Sequence, residues 1–270
     1  MTIVKATLKQ LFRRKWKLPL AVLLCGVALV VVYHAFEVNA LRETFSEAWR
    51  MPPDTRSPEQ SAAITEWPRL SPFLTILNGL FLIGPLLVGM LMPGGVVANE
   101  RRSGAIMLWA QHPMPLSRFY MHRYLGMQIA NLAALALIGI SFLLALTLPP
   151  GAIATMDQFG ESCLAGLLCC AISFAISALG IRRAAFLTFA YYFASNMTMS
   201  AQLRDTLLGT SDVMPFLIFP TRLIREFTMG FQSGVPWDWG ATATVVYHFA
   251  LWTAIAWLGL RRLERRPLKL

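Results

Sequence analysis

The chain has 270 residues, 56% of them apolar and 14% charged, with a mean hydropathy of +0.54. A water-soluble domain carries roughly 25% charged and about 45–50% apolar residues, so this composition points to hydrocarbon rather than water as the main solvent. The net charge of +10 does not indicate nucleic acid, because the basic residues are split among short segments that flank apolar runs and form no stripe or basic domain.

The first element is a helical period over 2–16. Val4, Leu8, Leu11 and Phe12 share one face while Lys5, Lys9 and Arg13 recur four apart on another, the pattern of an interfacial helix with its cations on anionic lipid. An uncharged run then predicts a first span at about 18–36. A cleaved signal peptide is the competing reading of this start; the length of the run and the patterned segment before it favour a retained span. Residues 37–69 read as an external loop with Pro52, Pro53, Pro58 and Pro68, too short and polar to fold as a domain, carrying a short helix at Ala40–Trp49.

Further uncharged runs predict spans at about 72–97, 119–148, 160–181, 184–203 and 239–260. Each is near the roughly 20 residues that an α-helix needs to cross a hydrocarbon layer of about 30 Å. The runs are continuous rather than alternating, so the closed β-barrel is excluded. The predicted fold is all-α: one polytopic membrane domain of six transmembrane helices. Cys25, Cys163, Cys169 and Cys170 lie inside the apolar runs and read as small hydrophobes, not as zinc ligands or disulfides.

Orientation follows from the charges between spans. Six basic residues precede the first span (Lys5 to Lys17). Arg101, Arg102, Arg118 and Arg123 fall between the second and third, Arg182 and Arg183 between the fourth and fifth, and five more from Arg261 to Lys269 at the end. Only Glu100 and Glu264 share this side; the other twelve acids fall opposite. The asymmetry puts both termini in the cytoplasm, which requires an even number of spans, and the expected location is a bacterial inner membrane.

The fifth span is the most polar. Tyr191, Tyr192, Ser195, Asn196 and Thr198 must face a neighbour helix or a cavity, and are a candidate substrate path, with interhelical hydrogen bonding as the competing role. Gly166, Cys170, Ser173 and Ser177 in the fourth span have the spacing for close helix packing. Before the last span, Met214–Pro220 is apolar, bounded by prolines and too short to cross, and reads as a re-entrant segment. Thr221–Phe231 follows as an amphipathic helix.

The connection after the second span carries the most specific pattern. Glu100, Arg101 and Arg102 lead to Gly104 as a turn, then to an amphipathic piece with Ile106, Met107, Leu108 and Trp109. Pro113 and Pro115 break it, and Ser117 stands where a cap would start the next helix. Here the sequence resembles the ABC-2 type transporter permeases, through Glu100, Arg102, Gly104, Leu108, Pro115, Ser117, Arg118 and Arg123; Ala105-Ile106 stands where Thr-Leu is commoner, and Arg123 where Lys is typical. The resemblance implies that residues 101–112 form a coupling helix docking on a separate cytoplasmic ABC ATPase. Glu100, Arg101, Arg102, Gly104, Ile106, Leu108 and Trp109 would then form the coupling site. It further implies a second permease copy, as homo- or heterodimer, an export function, and ATP with Mg held by the partner.

This chain itself offers no nucleotide device: a P-loop needs a lysine directly after a glycine, and none occurs. Its four histidines are scattered without ligand spacing, no span has an ionisable residue at its centre, and nothing in the spacing sets Ser195 and His248 up as a dyad. No catalytic residue, metal site or cofactor is predicted. An integral scaffold or assembly factor, holding a soluble partner through the same segment without transport, is the alternative function.

Overall fold

The computed structural model describes residues 2–14, 17–35, 37–110, 113–145, 155–198, 220–231 and 234–265. Among them every regular element is a helix: α1 Thr2–Arg14, α2 Lys17–Ala35, α3 Val38–Arg50, a single 3-10 turn at Pro53–Thr55, α4 Pro58–Leu91, α5 Val96–Arg102, α6 Ala105–Ala110, α7 Leu116–Ala145, α8 Met156–Ala178, α9 Ala184–Thr198, α10 Thr221–Met229 and α11 Trp239–Arg265. Four of these, α4, α7, α8 and α11, are long and apolar enough to cross a membrane. The expected spans are matched within a few residues by α2, α7, α8 and α11, although α11 runs on to Arg265. The fifth, α9, is described only to Thr198. The expected re-entrant stretch lies, but for Pro220, outside the described residues, and the amphipathic helix after it is α10.

The predicted loop at 37–69 is corrected. It is a helical hairpin, because α4 starts at Pro58 rather than near 72. Ser57 and Gln60 form a reciprocal capping box, with the Ser57 hydroxyl accepting from the Gln60 N–H at 3.2 Å and the Gln60 carbonyl from the Ser57 N–H at 3.0 Å. Pro58 occupies the first helical position, where its missing N–H costs nothing. Pro68 and Pro72, taken as loop punctuation in the sequence, lie inside the continuous helix. The short helix expected at Ala40–Trp49 is present as α3, and it folds back on α4 through buried Ala48 and Ala63 and a Phe45–Trp67 ring contact at 6.1 Å. Arg56 closes the turn by donating to the carbonyls of Ala48 (3.0 Å) and Met51 (2.8 Å).

The centre of the bundle is α8. Every residue from Leu168 to Ala178 is buried, polar ones included, as for a helix surrounded by other helices. It packs on α4, α11, α9, α10 and α7. The α4–α8 seam is backbone on backbone: a Cβ on Gly89 would stand 1.9 Å from the Gly166 carbonyl oxygen, and one on Gly166 would stand 2.4 Å from that of Pro85. The spacing of Gly166, Cys170, Ser173 and Ser177 therefore does mark a packing face, as the sequence suggested. Two apolar clusters flank it, one built on α2, α4 and α7 around Phe81, Tyr120 and Phe142, the other on α8, α9 and α10 around Leu168, Ile172 and Ile224.

The N-terminal helix turns its apolar face to protein. Thr7 and Leu11 are buried, and Thr7 lies against α7, where a Cβ on Gly126 would be 3.1 Å from the Thr7 Cβ. Lys5 and Lys9 remain exposed.

Candidate functional site

The α5–α6 segment is built at one end of the bundle, and its position is set by α8. The last carbonyls of α4 lack helical partners, and Met90 O is satisfied by the Ser173 hydroxyl at 2.9 Å. The chain then turns at Gly95, in the left-handed region (φ 76°), with the Arg182 carbonyl oxygen 2.6 Å from where a Cβ would stand. This N-cap position cannot hold a side chain, so it cannot cap α5 in the usual way. Ser177 of α8 does so instead, its hydroxyl accepting from the N–H groups of Val97 at 3.0 Å and Ala98 at 3.3 Å. A serine eighty residues away does the work of a local cap.

Glu100 projects from α5 onto α7. Arg123 Nη1 donates to both of its carboxylate oxygens, at 2.6 and 2.7 Å, and the Tyr120 hydroxyl donates at 2.7 Å. The Arg123 side chain is 7% exposed and that of Glu100 20%, and the guanidinium also lies 5.8 and 5.6 Å from the ring centres of Phe119 and Tyr120. Arg123, counted from the sequence as a connecting-segment cation, is thus a neutralised residue inside α7.

The helix expected at 101–112 is divided. Arg101 and Arg102 form the last turn of α5, where cations suit the helix dipole. Gly104 follows in the left-handed region at φ 73°, and α6 begins only at Ala105. Glycine at 104 interrupts the hydrogen-bond ladder and turns α6 against α7. There Ile106 is buried and Trp109 stacks on Phe119 at 4.7 Å, while Leu108 points away from the protein, 68% exposed. Residues 111 and 112 lie outside the described residues.

Ser117 is not a cap. It lies buried within α7, and its backbone N–H donates to the Glu264 carboxylate at 2.5 Å. Sequence reading missed Glu264 as a functional residue. A lone acid in a basic tail was the available signal, and its placement at the start of α7 sets a negative charge on a helix N-terminus. The α5–α6 unit and the helix that follows it are therefore fixed at four points, by Ser177, Arg123, Phe119 and Glu264.

The polar residues of α9 do not meet this site. Tyr191 and Tyr192 pack into the second apolar cluster, with Tyr191 5.8 Å from the Trp252 ring. Ser195 is buried and donates to the Tyr191 carbonyl at 2.7 Å; Asn196 is half-buried. The side chain of Thr198 is outside the described set. The face that α9 turns outward is aromatic, with Phe186, Phe189 and Phe193 exposed. Among the described residues no three His, Cys, Asp or Glu side chains gather as a metal site. No family model matches the chain, and no curated protein matches its sequence.

Proposed function

We propose that the chain is the membrane permease subunit of an ABC-2 type transporter, driven by ATP hydrolysis in a separate cytoplasmic ATPase that docks on α5–α6. The observation that carries this reading is the bracing of that unit. Its inner side is tied to α7 and α8 by an ion pair, a cap and a ring stack, while Leu108, Arg101 and Arg102 face outward. A push on Leu108 would move α5 and α7 together, because the Glu100–Arg123 pair joins them. In this reading α2 and α9 complete six spans, since the uncharged run that begins in α9 continues in sequence to Leu203. Both termini face the cytoplasm of a bacterial inner membrane, Met214–Pro220 re-enters it, and two permease copies pair with two ATPases, exporting the substrate. Supporting this orientation, Arg102, Arg182, Arg261 and Arg265 are gathered at the end of the bundle that holds α5–α6, brought there by the Gly95–Arg182 and Ser117–Glu264 contacts. Tyr191, Tyr192, Ser195, Asn196 and Thr198 would line the path only by a rearrangement of α9.

Co-expression with an ABC ATPase subunit, followed by copurification and an ATPase assay, tests this. Leu108→Asp is expected to weaken docking about thirtyfold, the ~2 kcal/mol of an interface hot spot. It should leave the melting temperature unchanged, because the side chain is exposed. Unaltered docking and stimulation in that variant would remove the basis for the reading. A soluble partner that copurifies without any ATP-dependent transport would identify the scaffold instead.

A further inference from the structure

At the same end of the bundle, and separate from the outward face of α6, an open polar cleft of about 620 Å³ is lined by Asn99, Arg102, Ser103, Arg182 and Arg183. It holds three guanidinium groups and no acid among its lining residues. The nearest carboxylate on the same helix, Glu100, is turned to α7 and engaged by Arg123 and Tyr120. Three like charges around one cleft repel each other unless an anion neutralises them. Their backbone is held in place: the Arg182 carbonyl packs against Gly95, Gly180 takes the left-handed φ of 94° beside Arg101, and Arg183 O starts α9 by accepting from Leu187 N–H at 3.0 Å. Arg102 is fixed by the α5 cap at Ser177. Guanidinium groups and the Asn99 amide and Ser103 hydroxyl donors are the groups that recognise phosphate oxygens.

The surroundings distinguish between sources of phosphate. Leu179 and Ile181, in the same loop, are exposed, and beyond Arg183 the outward face of α9 carries Phe186, Phe189 and Phe193. A charged cleft continued directly by an exposed apolar face matches an amphiphile with an anionic head. We propose that Asn99, Arg102, Ser103, Arg182 and Arg183 bind the phosphate group of an anionic phospholipid whose acyl chains lie along the outer face of α9. The site does not depend on any partner docking at Leu108.

The test uses the purified full chain in neutral detergent and displacement of a fluorescent short-chain phosphatidylglycerol. Unlabelled phosphatidylglycerol, phosphatidylcholine and inorganic phosphate serve as competitors. Salt is set at about 1 M, where the screening length of roughly 3 Å suppresses diffuse attraction. The expected result is displacement by phosphatidylglycerol far ahead of the other two. Arg102→Gln/Arg182→Gln/Arg183→Gln should weaken binding about a hundredfold, roughly fivefold per arginine. Lys5→Gln/Lys9→Gln/Arg118→Gln, which removes as many exposed charges elsewhere, should stay within about twofold of wild type at that salt. Equal displacement by phosphatidylcholine, or equal loss in both triple variants, would overturn the proposal. Displacement by inorganic phosphate as effective as by phosphatidylglycerol would overturn it too, and assign the cleft to a soluble anion. If the arginine triple variant does not fold, the three competitors on the wild-type chain still decide.

Discussion

Arg123 and Glu100 show how one pair can hold a surface unit to a bundle. Removing a single partner from a well-shielded pair leaves the other charge without compensation, a larger loss than the pair's net contribution. Glu100→Ala is therefore expected to destabilise the protein by about 3 kcal/mol, and Arg123→Met by less. The double variant should fall well short of the sum. Thermal unfolding of the four forms in detergent closes the cycle, and strict additivity would mean that the pair does not couple α5 to α7. Neither residue was hard to single out in the sequence, since one belongs to the acidic–basic motif and the other to the count of cations. Their pairing was not legible, because it depends on α5 and α7 lying side by side, with α6 and a turn between them.

Helix packing sets the next level. Gly89 in α4 meets the Gly166 backbone with no space for a methyl group, whereas Gly79 in the same helix has nothing within 4 Å of a Cβ. Gly89→Ala should cost at least about 3 kcal/mol, the upper range of overpacking. Gly79→Ala should be neutral or stabilise by up to ~1 kcal/mol through helix propensity. Matched melting curves separate the two, and equal effects would contradict the α4–α8 seam. Ser177→Ala should cost about 1–2 kcal/mol by removing the only side-chain acceptor that reaches the N–H groups of both Val97 and Ala98 among the described residues. Hydrogen exchange should quicken first in α5, and exchange that instead rises evenly through α8 would place the role of Ser177 elsewhere. The small residues of α8 were readable as a packing face from spacing alone. That its Ser177 would cap another helix was not, since no local rule anticipates a cap supplied eighty residues away.

Across the whole molecule, the arrangement puts Ser103 and Thr55 at opposite ends of α4. If the basic end is cytoplasmic, Ser103→Cys in spheroplasts should react with a membrane-impermeant maleimide only after permeabilisation, and Thr55→Cys should react without it. The reverse pattern would invert the topology and detach α5–α6 from any cytoplasmic partner. Native thiols give little background, because Cys169 and Cys170 are fully buried and Cys25 and Cys163 are half-buried within apolar helices.

The sequence by itself determined the helical class, the apolar segments and the uneven distribution of charge. In hydrocarbon each crossing segment must satisfy its own backbone, so about twenty consecutive residues carry enough information to identify it. It also located the α5–α6 segment and its glycine turn, which are local features. Only the tertiary structure decided that α8 is the centre, that residues 37–69 fold as a hairpin, and that Ser177 and Glu264 hold the ends of α5 and α7. Those outcomes rest on contacts between residues 80 to 147 positions apart, which depend on the relative placement of whole helices and leave no periodic trace along the chain.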